Sequence, residues 1–249
     1  MLFIESDRRY SGKRTATEVS LARMGIKEDR MSLCIIPARG GSKRIPGKNI
    51  REFWGRPIIT YPIATAIACG YDVLVSTDDA EIERIAREAG AEVKPRIGEL
   101  SGDEVEVEEV LASLLGDVED DCLMMFPTSV FATPSDIDEA LHGWNATVDL
   151  LYSVVEYDHP IQRALIIDDG RVKMMNATHN NTQDYNPRYH DAAQFYLFDP
   201  LAFMAGWSRG KRLIELNAEA YIYARNEVQD IDTPEDWAIA EMKYKELGR

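Results

Sequence analysis

The sequence predicts an α/β fold with a mostly parallel sheet, helices on both faces and a small antiparallel insertion lobe. Short apolar strands alternate with capped helices through the first half of the chain, a spacing typical of parallel sheets. After Leu150 strand-like segments follow one another with no helix between them. The first pattern predicts a Rossmann-like sheet, and the second predicts the lobe.

Capping residues and glycines mark the helix ends in the first half. Thr60 can cap one helix, Asp79 or Thr77 the next, and Thr133 followed by Pro134 a later one. In chain order we predict strand Leu33–Ile36, a helix from Thr60 to Gly70, strand Val73–Val75, helix Ala80–Ala89, strand Glu92–Lys94, helix Val105–Leu115, strand Leu123–Phe126 and a helix from Pro134 to about Trp144.

The second half is richer in strands. Asp169-Gly170 is a hairpin turn signal, which places an antiparallel pair inside residues 150–186. The predicted elements are strands Leu150–Val155, Leu165–Ile167, Val172–Met175, Phe195–Phe198 and Tyr221–Tyr223, then a helix from Pro234 to about Lys245. We expect residues 31–249 to form one domain, and residues 1–30 to be an extension of unknown role.

Composition limits the classes of function. The chain has 249 residues, 45% of them hydrophobic, and a formal net charge of -15 at pH 7. A strongly negative protein lacks the positive field that nucleic acids and anionic membranes require, so neither is an expected partner. Because residues 1–30 lack a long apolar segment of the secretory type, we expect a cytoplasmic protein.

A glycine-rich basic loop, Pro37–Asn49, follows the first predicted strand. Adjacent glycines Gly40 and Gly41 let a backbone approach a phosphate, and Arg39 and Lys43 add charge-assisted contacts. Five residues separate Gly41 from Gly47, which excludes the Walker A pattern, and no Gly-x-Gly-x-x-Gly is present. The loop therefore predicts a triphosphate site of another type. The alternative is a surface turn.

Asp230 and Asp232 lie two residues apart in an extended segment near the C-terminus. Residues at this spacing project to one side, so the two carboxylates can share a Mg²⁺ ion. The alternative interpretation is that Asp232 only complements the dipole of the helix that begins after Thr233. That interpretation accounts for one aspartate and leaves the other unexplained.

Other polar residues follow predicted strands, and each has a structural alternative. Asp78 and Asp79 can contact a ribose or base, although acids beside a helix start are more often caps. Thr128 and Ser129 follow a buried strand at the edge where open α/β sheets bind ligands. Their hydroxyl groups can bind a sugar or cap a turn.

Four segments together resemble the CMP-sialic acid synthetase (acylneuraminate cytidylyltransferase) family. They are Ile36–Asn49, Val75–Asp79, Phe126–Ser129 and Asp230–Thr233, and they occur in the family's order and spacing. The resemblance covers nearly all of Met31–Arg249. The segment Tyr189–Tyr196 is more similar to the pseudaminic acid cytidylyltransferase branch than to the N-acetylneuraminic acid branch.

The resemblance implies transfer of CMP from CTP to a nonulosonic acid, such as pseudaminic acid, with release of pyrophosphate. It also implies a Mg²⁺ cofactor and a homodimer formed through residues 150–186. The implied catalytic residues are Arg39, Lys43 and Asp232; the nucleotide-binding residues are Ala38, Arg39, Gly40, Gly41, Ser42, Lys43, Asn49 and Asp78; the sugar-side residues are Thr128, Ser129, His190, Asp191, Gln194 and Tyr196; and the metal ligands are Asp230 and Asp232.

Two positions depart from the branch pattern. Asn181 replaces an arginine, and Phe126 replaces a glutamine that faces the sugar in sialic acid enzymes. Both leave open which sugar acid is used, so legionaminic, N-acetylneuraminic and 3-deoxy-octulosonic acids remain alternatives. A nucleotide-binding protein without catalytic activity is the alternative from another class.

Overall fold

The computed structural model describes residues 32–249, apart from 97, 103, 117, 146, 176–180 and 182–184. The expected N-terminal extension, residues 1–30, lies outside the described residues. None of the described helices is long and apolar enough to cross a membrane.

A seven-stranded sheet forms the centre of the domain. Its strands are β1 (Ser32–Pro37), β4 (Tyr71–Thr77), β5 (Glu92–Pro95), β6 (Cys122–Met124), β7 (Leu150–Glu156), β10 (Tyr189–Phe198) and β11 (Ala218–Tyr223). They lie in the order β11-β7-β10-β6-β1-β4-β5. Strand β10 is antiparallel to both of its neighbours, and every other adjacent pair is parallel.

Two small antiparallel pairs lie outside this sheet. They are β2 (Glu52–Phe53) with β3 (Arg56–Pro57), and β8 (Leu165–Asp168) with β9 (Arg171–Met174).

Helices cover both faces of this sheet, as the sequence predicts. They are α1 (Thr60–Ala68), α2 (Ala80–Glu88), α3 (Val107–Leu115), α4 (Pro134–Gly143), α5 (Pro200–Trp207) and α6 (Pro234–Glu246). One face of the sheet packs against α1, α2, α4 and α6, and the other packs against α3 and α5. Alternate residues of β1 divide between these two cores, with Cys34 and Ile36 in the first and Leu33 and Ile35 in the second.

Most helix starts agree with their capping signals. Asp79 caps α2, and Thr133 and Thr233 cap α4 and α6 with a reciprocal aspartate three residues later. The expected cap at Thr60 is wrong, because its hydroxyl donates instead to the carbonyl of Pro57. Helix α5 was missing from the sequence prediction, although an aspartate cap followed by Pro200 marks its start.

The antiparallel lobe is smaller than expected. Leu150–Glu156 is a strand of the central sheet between β10 and β11, so the described hairpin comprises only β8 and β9. Strand β10 is also longer than the predicted Phe195–Phe198, since it begins at Tyr189. Period-2 patterns predict strands but carry no partner information, which explains why β7 was placed in the wrong sheet.

The topology places the loops after six parallel strands at one edge of the sheet. The basic loop follows β1, and Asp78, Arg96 and Phe126 follow β4, β5 and β6. The opposite direction of β10 brings its first residues, beginning at Tyr189, to the same edge. Ligands of open α/β sheets bind at such carboxyl edges.

Candidate active site

A cavity of about 400 Å³, which we call the central cavity, opens at this carboxyl edge. Its polar wall combines cations that follow β1 and β5 with carboxylates that come from β10 and from the segment after β11. The polar lining residues are Arg39, Lys48, Asn49, Arg96, Thr128, Asp191, Tyr196, Asp230 and Asp232. The structure thus brings together the basic loop and the C-terminal aspartate pair.

The backbone of the basic loop is held by the protein itself. The Ala38 N–H donates to the Ser76 carbonyl at 2.8 Å, and the Gly40 N–H donates to Asp78 Oδ1 at 2.8 Å. The Ser42 N–H donates to the Gly40 carbonyl at 3.0 Å. The amides of Gly40 and Ser42, two of the predicted nucleotide-binding residues, therefore have acceptors within the protein in this loop conformation.

The loop's side chains divide between the cavity wall and the outer surface. Arg39 lines the cavity, whereas Lys43 and Gly41 are exposed outside its wall. The Asn49 side chain is buried and donates to the Arg39 carbonyl at 2.8 Å. Asn49 therefore fixes the backbone that carries Arg39, and it also lines the cavity.

Two aspartates after β4 have separate tasks. Asp79 caps α2 by accepting from the Glu81 and Ile82 amides at 2.8 and 3.0 Å. Asp78 accepts from Gly40 and does not line the central cavity. The Asp78 carboxylate thus holds the backbone of the loop, and its predicted contact with a ribose or base stays a prediction.

Asp232 forms ion pairs with two cations of the basic loop. Arg44 Nη2 lies 3.0 Å from Asp232 Oδ2, and Lys48 Nζ lies 3.2 Å from Asp232 Oδ1. Lys48 also donates to the Ile231 carbonyl at 2.8 Å. Neither Arg44 nor Lys48 was among the candidate site residues, although their place beside the glycines was a usable signal.

Asp230 lies among like charges. Burial, the neighbouring Asp232 and the more distant Asp191 raise the pKa of Asp230 to about 6, against the opposing effect of Lys48. Three carboxylates facing one cavity favour a bound cation. The described residues hold no group of three or more metal-ligating side chains, so a cation here would depend on two carboxylates and on substrate oxygens. That donor set fits Mg²⁺.

Helix α6 holds the aspartate segment in place. Gln229 Nε2 donates to the Asp230 carbonyl at 3.0 Å and to Asp236 Oδ1 at 3.2 Å. The Asp232 N–H donates to Asp236 Oδ2, also at 3.2 Å. Because Asp236 serves the helix start, the Asp232 carboxylate is directed to the loop cations, which disfavours the dipole-only interpretation.

Only part of the expected sugar-side set reaches the central cavity. Thr128, Asp191 and Tyr196 line it, and the Tyr196 hydroxyl donates to Asp191 Oδ2. Burial raises the pKa of Asp191, and the hydrogen bonds from Tyr196 and the Ala193 amide oppose that rise. The rings of Phe126 and Tyr196 pack edge to face, with their centroids 5.7 Å apart, and Phe126 forms an apolar part of the wall.

Ser129 and Gln194, two of the predicted sugar-side residues, do not line the central cavity, and their side chains bind backbone groups instead. Ser129 is fully buried, and its hydroxyl accepts from the Phe126 amide and donates to the Ala193 carbonyl. The Gln194 side chain accepts from the Phe131 amide and donates to the Ala192 carbonyl, each at 3.0 Å. Strand alternation alone cannot distinguish a polar residue that faces a cavity from one that satisfies the core.

His190 faces a second, larger cavity of about 710 Å³ on the far side of Asp230. Its ring packs on Tyr157 at 4.8 Å, and its Nδ1 lies 2.9 Å from the Asp191 carbonyl. His190 therefore lines a different cavity from Asp191 and Tyr196. Asp230 borders both cavities.

Arg96 is a wall residue that the sequence analysis missed. It follows β5, its Nε lies 3.2 Å from Ser76 Oγ, and its backbone N–H donates to the Thr77 carbonyl at 2.7 Å. Burial lowers its pKa, which the carboxylate of Asp78 opposes and Arg39 reinforces. Its position after a strand of the parallel sheet was the available signal.

The Cytidylyltransferase family model matches residues 33–195, which include the basic loop and β10. This chain belongs to the cytidylyltransferase family. It is thus a nucleotidyltransferase, and the resemblance inferred from its motifs is confirmed.

Named relatives extend over most of the chain. A pseudaminic acid cytidylyltransferase of Campylobacter jejuni is 32% identical over 227 residues, which cover 86% of this chain and 96% of the relative. A CMP-N,N'-diacetyllegionaminic acid synthase of Legionella pneumophila is 30% identical, covering 87% and 97%. An N-acylneuraminate cytidylyltransferase of Streptococcus agalactiae is 31% identical, covering 82% of this chain and 51% of the relative.

The fold is also shared with a solved enzyme. The structure of CMP:2-keto-3-deoxy-manno-octonic acid synthetase in complex with CTP superimposes with a TM-score of 0.65. It is 17% identical and covers 88% of this chain and 99% of its own. The α/β fold of this cytidylyltransferase is thereby confirmed.

The close approach of Gly40 to α2 generates a first prediction. A Cβ at Gly40 would lie 2.7 Å from Asp79 Oδ2 and 2.8 Å from Asp79 Cβ, and Asp79 cannot withdraw without losing its cap. Gly40→Ala should therefore displace the loop and raise the dissociation constant for CTP by about tenfold or more, measured by calorimetry. Gly143→Ala is the control, since its Cβ meets only Leu151 Cδ1 at 3.9 Å; equal affinities of the two variants would contradict the account.

A second prediction concerns pH and Asp230. Its folded pKa of about 6 lies above the unfolded value of about 3.9, so its contribution to stability is present below about pH 4 and is lost as the pH rises through 6. With EDTA present, Asp230→Asn should stabilise the protein by about 1 kcal/mol at pH 7, after allowance for solvent screening. The gain should shrink toward pH 4 in urea unfolding. A gain independent of pH would show that the pKa of Asp230 is not raised in the folded protein.

Proposed function

We propose that this cytidylyltransferase transfers CMP from CTP to the anomeric hydroxyl of a nine-carbon 2-keto sugar acid, with pseudaminic acid as the first candidate. Pyrophosphate is the second product. The main observation behind the proposal is that loop cations and three carboxylates face each other across one cavity of about 400 Å³. Relatives that are named for such sugar acids support the choice of acceptor.

The cations of the wall suit a triphosphate. Arg39, Lys48 and Arg96 approach the cavity from the segments after β1 and β5, and Arg96 is half-buried. Charge-assisted hydrogen bonds in a partly desolvated wall stabilise phosphate charge more strongly than the same contacts in water. These side chains hold the nucleotide and stabilise the charge that develops on the departing pyrophosphate. Lys43 is exposed and does not line the cavity, so its predicted catalytic role stays a prediction.

Asp230 and Asp232 are the residues that hold Mg²⁺ in this proposal. When bound, Mg²⁺ neutralises phosphate charge and lowers the pKa of a coordinated hydroxyl. Ion pairs with Arg44 and Lys48 direct the Asp232 carboxylate toward the loop, and Lys48 also binds the Ile231 carbonyl of the aspartate segment. The protein therefore holds the charged groups in register before either substrate arrives.

Asp191 and Tyr196 suit a polyhydroxylated acceptor. The Asp191 carboxylate accepts from the Ala193 N–H at 2.8 Å and from the Tyr196 hydroxyl, which fixes its orientation in the wall. A carboxylate held in this way accepts a hydrogen bond from a sugar hydroxyl and positions it for attack on the α-phosphorus. We propose that the acceptor lies on this side of Asp230, with Thr128 at its border.

The identity of the acid is the finer part of the proposal. Phe126 gives the wall an apolar ring beside Tyr196, which favours an acid with a methyl or acyl group at that position. Legionaminic, N-acetylneuraminic and 3-deoxy-octulosonic acids are the other candidates. We also propose a cytoplasmic enzyme, as expected from the sequence and in keeping with relatives that are named as cytidylyltransferases.

A panel of acids tests the function. With CTP and Mg²⁺, wild-type protein should release pyrophosphate with pseudaminic acid at a higher kcat/KM than with the other three acids. Asp232→Asn should lower that rate by a hundredfold or more, because the metal loses a charged ligand. Glu235→Gln, which removes an exposed carboxylate three residues away, is the matched control and should retain activity.

Each other outcome of the panel has a definite meaning. A preference for another acid would show that the proposed reaction is right and that the proposed acceptor is wrong. Tight CTP binding with no release of pyrophosphate from any acid would show that the protein binds the nucleotide without catalysing the transfer. Full activity of Asp232→Asn would falsify the metal assignment.

We also propose a homodimer formed through the β8–β9 hairpin. One face of the hairpin exposes a group of aliphatic side chains, with Ile167 75% exposed and Leu165 and Val172 each 62% exposed. A contiguous exposed apolar surface on a short hairpin indicates an interaction site. An isologous contact with a second copy would bury it.

The dimer proposal predicts a mass of twice 28.1 kDa by light scattering at micromolar concentration. Ile167→Glu should give the monomer mass, because a charge enters the apolar contact. Met242→Glu places the same charge on an exposed position of α6 and should leave the dimer intact. A monomeric wild-type protein, or equal behaviour of the two variants, would reject the hairpin as the interface.

A further inference from the structure

Strand β10 contains an irregular segment between Asp191 and Tyr196, whose side chains line the central cavity. Asp191 pairs with Val154, and Tyr196 pairs with Tyr152. β10 therefore advances by five residues where β7 advances by two, so the residues 192–195 lie opposite Ser153 alone. Ala193 within it has a φ of +54°, a left-handed conformation that is rare for residues other than glycine. The segment is a β-bulge with three extra residues.

The bulge gives the cavity its pair of polar side chains. In a regular strand, residues five apart project from opposite faces, because side chains alternate. The odd number of extra residues returns Tyr196 to the face of Asp191, where the two side chains hydrogen-bond. The ring of Tyr196 also stacks on Tyr152 at 5.9 Å, which fixes its position against β7.

A bulge leaves backbone groups without partners in the neighbouring strand, and here Ser153 supplies one. Its Oγ accepts from the amides of Gln194 and Phe195 at 3.0 and 3.2 Å. Ser153 is fully buried, so no solvent reaches these amides from its side. A buried N–H without an acceptor is strongly unfavourable, which makes this single oxygen necessary for the observed backbone path.

We infer that Ser153 is a positioning residue for the acceptor side of the active site. It lies behind the cavity wall and is absent from the lining residues, so it acts through the bulge that places Asp191 and Tyr196. The inference rests on the proposed function for its kinetic consequence. Its structural content, that one hydroxyl fixes the bulge, does not depend on that function.

The test compares Ser153→Ala with Ser153→Thr. The alanine variant loses the acceptor oxygen and should raise KM for the sugar acid by tenfold or more, with KM for CTP changed less than twofold. The threonine variant keeps the oxygen but forces a methyl group into a fully buried position. It should lower the melting temperature and leave KM for the acid within threefold of wild type. Loss of stability and loss of acceptor positioning are thereby separated.

Hydrogen exchange gives a second readout that needs no activity. In Ser153→Ala the amides of Gln194 and Phe195 should exchange at least tenfold faster than in wild type, while the amide of Leu197 changes little. If no acid supports turnover in wild type, the proposed function fails, and this arm still tests Ser153. Should the alanine variant not fold, Ser153→Cys, whose sulfur is a weak acceptor, replaces it in both arms.

Three results would overturn the inference. The first is an equal KM for the acid in Ser153→Ala and Ser153→Thr. The second is an increase in KM for CTP as large as the increase for the acid. The third is unchanged protection of the Gln194 and Phe195 amides.

Discussion

The contact between Asp232 and the basic loop joins two segments that are 184 residues apart in the chain. Lys48 binds both the Asp232 carboxylate and the Ile231 carbonyl, and Arg44 pairs with the same carboxylate from the other side. Exposed ion pairs of this kind contribute little to stability. Their importance is geometric, because they hold the basic loop and the aspartate segment together at one cavity.

The sheet topology makes this contact possible. Parallel strands deliver their carboxyl ends to one edge, so the cations after β1 and β5 and the carboxylates after β11 share a single cavity. The reversed strand β10 contributes a third carboxylate, Asp191, from its first residues. Burial and, after it, the charges of Asp232 and Asp191 raise the pKa of Asp230 to about 6. The fold thus concentrates opposite charges before any ligand binds.

The sequence predicted most of the helices because their signals are local. Asp79, Thr133 and Thr233 cap the helices that their sequences indicate, and the loop and aspartate motifs identified the correct edge. Local errors remain at the Thr60 cap and at the missed helix α5, but the errors at the site mainly concern contacts between distant segments. No local pattern shows that Gln194 serves the Phe131 amide, or that Asp78 holds Gly40. The bulge at Ala193 is equally hidden, because it reverses the face on which every following residue of β10 projects.

The site therefore depends on two kinds of residue. Arg39, Lys48 and the aspartate pair carry charge to the cavity, and the motif resemblance was sufficient to identify most of them. Asn49, Gln229 and Ser153 are satisfied polar groups that fix backbone paths, and only the structure identifies their tasks.

The central claim is that phosphate and metal meet between the basic loop and the C-terminal aspartates. A crystal structure with CTP and Mn²⁺, collected at a wavelength where manganese scatters anomalously, tests it most directly. The account predicts an anomalous peak coordinated by Asp230 and Asp232, with the triphosphate between that peak and the side chains of Arg39 and Lys48. A nucleotide bound elsewhere, or manganese bound away from both aspartates, would contradict it.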